Sequence, residues 1–525
     1  MSRRRAREEP ILSKQSQDPT LMLRFLTLAL LPLTTCWALA QNPVTSQTEA
    51  QLATLTLKQQ TEDFQIFRGS LPEGHGGLYY FIDKATLNRK CDSVGRTFTE
   101  NATVETYSLK LRYLITLLRH GHSRVNLPTK RFDNFRLGIL NPNKRYLPLQ
   151  LIVLDKKLYV LGDCSQEQTV AKGSEIVRIN GVSATQLMDS MLHYIPADGI
   201  NTTFKYYNLY NYYSFHFLYN LFYPDVTEFT LELAKSPRTV RIGARTPAEI
   251  EKADEVHNNK AISHFDNPIQ YKATVAPSTA YLKVGSFYKG FIEGFGTRYE
   301  TFVDSVFHDL NTRSTKNLIL DLRDNEGGGD GYSEILFSHF FSKTIVPVGL
   351  TVPSKTFPFV KYAVISDDIQ GYIANPNEFL NGDGTLSLKQ KYLDMMAATI
   401  PPAKDQFTGP VYVLINEGVF SAGNTFVGYL YGHRKATNQK ITFIGEENGG
   451  DIYSNVLCAG QSYIVKLPNS GITADMPFLC SGTLNKTYPA KRLPDYRVVE
   501  KIGDLIARKD GVLQAAIKKC QENSK

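Results

Sequence analysis

The six cysteines, at 36, 91, 164, 458, 480 and 520, include no Cys-x-x-Cys pair. That removes a zinc ribbon and a thioredoxin-type redox site. No stretch reaches the roughly 18 consecutive apolar residues of a membrane helix, so no membrane span is expected. No G-x-x-x-x-G-K-[ST] occurs, which excludes a P-loop. Val419 stands where the G-x-S-x-G elbow of an α/β-hydrolase has its first glycine, which disfavours that fold. Excess charge of one sign is also scarce. The formal net charge is +8, and residues 1–40 supply +3 of it, six Lys/Arg against three Asp/Glu. The remaining +5, spread over the rest of the chain, is no footprint for nucleic acid. A calcium loop fails as well, because Asn381-Gly-Asp-Gly is followed by Tyr392 where the closing acidic ligand belongs. No metal and no organic cofactor are expected.

What is present is ordinary for a globular protein: 525 residues, 42% hydrophobic and 21% charged, enough for two to four domains. Arg24 precedes the apolar run "FLTLALLPL", and Ala38-Leu39-Ala40 precedes Gln41. Residues 1–40 therefore read as a secretory signal with a long basic lead, in which translation could begin at Met22. Leu33-Thr34-Thr35 before Cys36 leaves lipidation as an alternative. The mature chain is expected to be exported, to the periplasm, the cell envelope or the medium. Residues 41–140 read as a helical lead domain, with Leu109, Leu111, Leu114 and Leu118 at helix-like spacing. Residues 146–240 are β-rich at first, and "KGSEIVRINGVSATQLMDSML" resembles the turn–strand–turn and helix of a PDZ domain. The aromatic tract "FKYYNLYNYYSFHFLYNLFY" (204–223) reads as rings packing modules together or as a stacking platform. From 265 to 525 strands alternate with helices, which argues an α/β domain. Cys458 and Cys480 flank two apolar runs and could face each other across a hairpin.

Two buried strands empty into loops built for chemistry. "VYVLINEGVFSAGNTF" (411–426) delivers Ser421 among small neighbours at the start of a helix, and "NLILDLRDNEGGGDG" (317–331) runs into three glycines. A serine hydroxyl needs a base to take its proton and donors to hold an oxyanion. The Ala422 amide and a glycine-turn amide are candidate donors. Each signal alone is weak, since a serine before a helix is commonly an N-cap.

Taken together these segments resemble the tail-specific, or C-terminal processing, serine peptidases. The first matches their nucleophile motif and the second their D-L-R-x-N-x-G-G motif. "FIGEENGG" is similar to the family's G-E-x-T-x-G stretch, and "LPDYRV" (493–498) to its closing motif. The resemblance implies a crotonase/Clp-like core, a spiral of ββα units. It implies Ser421 as nucleophile, Gly327 or Gly328 with Ala422 as oxyanion hole, and Asp321, Arg323 and Asn325 as residues that shape the loop.

Many members carry a general-base lysine, but Asp451 occupies that position and excludes a Ser/Lys dyad here. The tricorn-like branch instead takes a histidine from an Asp-Gly-His segment. Gly121-His122-Ser123 matches it, with His120 in place of the aspartate, so His122 is the expected base. The alternative, a metal held by His120 and His122, lacks partner ligands. Glu446, Asp451 and Asp495 are candidates to orient the imidazole, and Ser123 could assist. The expected function is that of a bacterial exported serine endopeptidase acting on proteins or peptides, with oligomeric state open. The competing reading is an inactive relative that binds peptide or lipid.

Overall fold

The computed structural model describes residues 54–523 except 129–136, 258–267, 297, 342, 346–349, 382–385, 396–397, 455 and 483–491. The signal segment, the Met22 start and Cys36 lie outside the described residues. Among those described, no helix is long and apolar enough to cross a membrane.

Three helices lead. Thr56 caps α1 (Leu57–Gly74) and closes a capping box with Gln59; Asp83 caps α2 (Lys84–Gly95) and Thr103 caps α3 (Val104–Thr116). Each cap oxygen satisfies a first-turn amide that the helix leaves open. Their apolar faces bury Phe67, Leu71, Leu111 and Leu114 in a core shared with Tyr463, Met476 and Phe478. The helical lead thus covers a hairpin from late in the chain instead of closing on itself. A short strand, β1 (Arg124–Asn126), follows.

A second body holds β2 (Leu149–Leu154), β3 (Lys157–Asp163), β4 (Glu175–Ile179), β5 (Val182–Ser183), β6 (Glu228–Leu233) and β7 (Val240–Gly243). Their order is β2-β3-β4-β6-β7, all antiparallel, with β5 also paired to β4. Helices α4 (Ala184–Met191), α5 (Thr203–Asn211) and α6 (Ser214–Phe222) lie between β5 and β6 in sequence. Phe215, Phe217 and Tyr219 of α6 join Leu149, Val160 and Phe229 in one core, so this half of the aromatic tract is packing.

The third body is a sheet of β8 (Ile269–Ala276), β9 (Thr279–Val284), β10 (Asn317–Asp321), β11 (Val411–Ile415), β12 (Ile441–Gly445) and β15 (Tyr496–Arg497), in that spatial order. The pair β8–β9 is antiparallel and the rest are parallel. Helices α7 (Tyr299–Thr312), α8 (Asp330–Ser338) and α9 (Ala422–Ala436) bury Phe307, Phe337 and Phe426 on one face. Helix α10 (Gly511–Asn523) packs Val512 and Ala516 on the other, against Tyr412 and Leu414. Covered on both sides, β10 and β11 are buried at every residue. That is why they read as continuous apolar runs and not as alternating ones.

Between β12 and β15 the chain makes a long hairpin, β13 (Val456–Lys466) and β14 (Thr473–Gly482), joined by a Cys458–Cys480 disulfide. β1 extends this sheet, with Arg124 opposite Asp475 and Val125 opposite Ala474.

Candidate active site

β10 and β11 are neighbours in parallel register, Asp321 beside Leu414, so their carboxyl-end loops leave the sheet side by side. Asn416 stitches them together. Its Oδ1 accepts from the amides of Asp324 (2.9 Å) and Gly418 (3.1 Å), and its Nδ2 donates to Asp324 Oδ1 (2.8 Å). The Phe420 amide donates to the Asn325 carbonyl at 3.0 Å. This seam presents Ser421 at φ 51° and ψ −127°, a left-handed φ that a non-glycine residue adopts only when its surroundings impose it.

Ser421 stands at the N-terminus of α9, yet its side chain makes no capping hydrogen bond. Its Oγ lies 3.0 Å from His122 Nε2 instead. His122 sits in a turn between α3 and β1, closed by the Ser123 amide on the His120 carbonyl. The turn is pinned from outside by Asp198, whose Oδ1 accepts the Gly121 amide at 2.7 Å. The imidazole stacks on Phe420 (centroids 4.7 Å apart), and Phe420 stacks on Phe204 of α5 (4.0 Å). The other half of the aromatic tract therefore holds the nucleophile loop and the base together.

Burial, the nearby Arg124 cation and His120 pull the His122 imidazole down to about 3, so it is neutral across the working pH range. With Nε2 accepting the serine proton, Nδ1 carries a hydrogen. Nδ1 is buried and has no partner among the described residues.

The glycine turn lies against Ser421. A Cβ on Gly327, at φ +97°, would fall 2.7 Å from both Ser421 Cβ and Ala422 N; one on Gly328, at φ +136°, would strike the Phe287 backbone at 2.2 Å. Both positions need glycine. The Gly327 amide is already donated to Asn325 Oδ1 at 2.9 Å. Phe287 pairs with Gly328 in a parallel bridge through the Gly327 carbonyl and the Gly329 amide, so the Gly328 amide faces away from Phe287. No described residue accepts from the amides of Gly328 or Ala422.

The three acids singled out from sequence engage other partners. Glu446 accepts from Arg497 (3.0 Å), Asp495 from Arg434 (2.6 Å) and the Phe443 amide (2.9 Å), and Asp451 Oδ1 from the Tyr453 and Ser454 amides (2.8 and 3.1 Å). Two acids that sequence reasoning missed lie by the His122 segment. Asp198 is pushed up to about 7 by burial, opposed by its bond to the Gly121 amide. Asp475, opposite Arg124 across β1–β14, accepts from Asn126 while its Oδ1 is buried without a partner among the described residues. No local signal marks either.

Three further residues shape the loops. Glu326, just before the glycine turn, accepts from Tyr207 (2.7 Å), Asn211 (3.1 Å) and the Tyr212 hydroxyl. Arg323 reaches Asp321 (2.6 Å), Asp510 (2.6 Å) and Glu500 (3.4 Å), tying the end of β10 to α10. Asn325 Nδ2 donates to the Val284 carbonyl at 2.9 Å. Ser123 Oγ meets His75 Nε2 at 3.0 Å. His120 Nε2 faces the Gly77 carbonyl at 3.1 Å, whereas His122 Nε2 faces Ser421 Oγ. No cluster of three metal-ligating side chains occurs among the described residues.

An α/β core that sets a hydroxyl, an imidazole and a turn of bare amides around one gap is the frame of a serine-type peptidase, whose substrates are proteins or peptides. Residues 278–471 match the model of peptidase family S41, and this segment belongs to that family, fitting the tail-specific proteases. Among solved structures the chain is similar to mature CPAF, at 15% identity over 89% of this chain and 97% of that one, with a TM-score of 0.58. The complex of mature CPAF with lactacystin matches at 14% identity, 89% and 98% coverage and the same TM-score of 0.58. At these identities the likeness is one of fold. No curated protein matches the chain in sequence.

Proposed function

We propose that the chain is an exported endopeptidase that works through an acyl-enzyme on Ser421 with His122 as general base. A peptide would lie extended beside a sheet edge, its carbonyl oxygen toward the Gly328 and Ala422 amides. Ser421 Oγ attacks the carbonyl carbon as Nε2 takes its proton, and the oxyanion gathers on the two amides. Collapse breaks the C–N bond, and Nε2–H protonates the departing amine. Water repeats the sequence, giving its proton to Nε2 and freeing the new carboxylate. The developing imidazolium needs an acceptor at Nδ1. Asp475 and Asp198 both lie by the His122 segment, and a bridging water would complete the link to either of them or to Asp451, whose charge acts on Asp198.

The β2–β7 sheet with α4 is read as a PDZ-like module flanking this site. Export is supported by the leader in the sequence and by the Cys458–Cys480 bond, which suits an oxidising compartment.

The carrying observation is the 3.0 Å Nε2–Oγ contact made by a serine that declines to cap its own helix. A fluorophosphonate probe should label wild type at Ser421. Ser421→Ala should lose both the label and about ten-thousand-fold of the hydrolysis of an unfolded protein, with unchanged melting temperature. Hydrolysis surviving in Ser421→Ala overturns the reading.

A further inference from the structure

The helical lead and the late hairpin meet in a buried polar cluster that adjoins the His122 turn and takes no part in the chemistry set out above. Past the end of α1, His75-Gly76-Gly77 lies along β14, with the Gly76 amide donating to the Pro477 carbonyl at 3.0 Å. The Cys458–Cys480 bond is the floor under Gly77. A Cβ at Gly77 would fall 2.5 Å from Cys458 Sγ and 2.8 Å from Cys480 Sγ. Two imidazoles join this strip to the segment that carries His122. His120 Nε2, 3.1 Å from the Gly77 carbonyl and 3.9 Å from Cys458 Sγ, carries the hydrogen that the carbonyl accepts. His75 Nδ1 accepts the Gly77 amide at 3.2 Å, so its hydrogen is on Nε2, which donates to Ser123 Oγ at 3.0 Å. His120 and Ser123, the residues flanking Gly121-His122, are thus tied to one strip.

Apolar packing alone asks for nothing of this kind. His75, His120 and Ser123 are 1%, 2% and 0% exposed, and burying such groups is unfavourable unless each finds its partner. Burial pulls His120 down to about 4 against its bond to the Gly77 carbonyl. It pulls His75 down as well, aided by His120, whose ring centroid is 4.8 Å away. Both rings are therefore neutral at working pH, with one hydrogen each. What these bonds supply is direction. His122 depends on it, because its own Nδ1 has no partner among the described residues, and the ring is placed by its backbone and by the stack on Phe420.

We propose that His75 and His120 are positioning residues for His122, and that the Cys458–Cys480 bond is the floor that fixes them. Neither ring takes a proton in the reaction. They hold the two ends of the turn so that Nε2 of His122 meets Ser421 Oγ at 3.0 Å. The catalytic consequence rests on the peptidase reading; the lock on the turn does not.

The test takes the full-length chain, an unfolded protein as substrate and a fluorophosphonate as probe of Ser421. His120→Phe keeps a ring but removes the donor to Gly77, and His75→Leu removes the donor to Ser123. Each should lower kcat and the labelling rate together by about ten- to a hundred-fold, with KM within about two-fold of wild type. A merely structural pair would lower the melting temperature and leave kcat of the folded chain alone. His120→Gln, which keeps a side-chain N–H, should return to within about three-fold of wild type. Cys458→Ala with Cys480→Ala should lose about ten-fold in kcat. Wild-type kcat in both His120→Phe and His75→Leu, or a loss that His120→Gln shares in full, overturns the positioning role; wild-type kcat in the cysteine pair overturns the floor. In the Ser421→Ala chain, adding His120→Phe should speed hydrogen–deuterium exchange across residues 119–126 about ten-fold while α9 keeps its rate. Unchanged exchange overturns the lock even in a chain that cuts nothing. A wild type that neither cuts nor labels, with the exchange response present, would sink the peptidase reading and leave the lock standing.

Discussion

At the scale of residues, the imidazole carries the sharpest expectation. Its low pKa comes first from burial and then from Arg124 and His120. A base whose folded pKa is depressed keeps its active neutral form at every pH above that value. The acid limb of kcat/KM on a short peptide should therefore lie well below about 6.5, where a solvated imidazole would put it. A limb near 6.5 would mean that another group sets the protonation or that a carboxylate joins His122. That Ser421, His122 and the Gly327–Gly328 turn lie together was legible because each sits in a short stretch whose spacing has a mechanical meaning. Asp198 and Asp475 were not, since what distinguishes them is tertiary: one grips the Gly121 amide, the other faces β1. Glu446, Asp451 and Asp495 lie near motifs, and the hydrogen bonds they accept come from arginines and local amides.

Single elements explain how the aromatic tract divides its labour. Helix α6 buries its rings in the second body, whereas α5 sends Tyr207 and Asn211 to Glu326 and Phe204 to Phe420. Burial raises the Glu326 carboxyl, and the hydroxyls of Tyr212 and Tyr207 counter it. Glu326→Ala would strand these donors and free the residue preceding Gly327. On the proposed mechanism the expected result is a fall in kcat of about ten- to a hundred-fold with little change in KM, because the amides proposed to hold the oxyanion would drift. Tyr207→Phe should show a smaller loss in the same parameter. Full kcat in Glu326→Ala would dismiss the clamp. From sequence, the parallel strands were readable because burial on both faces leaves an unbroken apolar run. The role of α5 was not, since a helix dense in rings looks the same whether it faces a core or a loop.

Over the whole molecule, two cores are assembled from segments far apart in the chain. The helical lead shares its interior with β13–β14, and α10 closes the back of the α/β sheet. Arg323 joins that closure, 2% exposed and shared among three carboxylates. Arg323→Met would take from Asp321, 1% exposed, the guanidinium that bonds it, and from the partly buried Glu500 and Asp510 the cation they share with it. It should cost about 3–5 kcal/mol in urea unfolding, more than removal of an exposed ion pair. A loss under about 1 kcal/mol would show the cluster to be solvated. An α/β domain was readable from alternating strands and helices; sharing of a core between the first helices and a late hairpin was not, because periodicity reports which face is buried and never against what. That sharing has a temporal consequence. The hydroxyl and the imidazole are 299 residues apart, and the strand following the imidazole finds its neighbour only at Thr473–Asp475. A nascent polypeptide emerging amino end first holds all its blades unassembled until nearly the last tenth is synthesised. The maker of this protein is thereby shielded from it during translation.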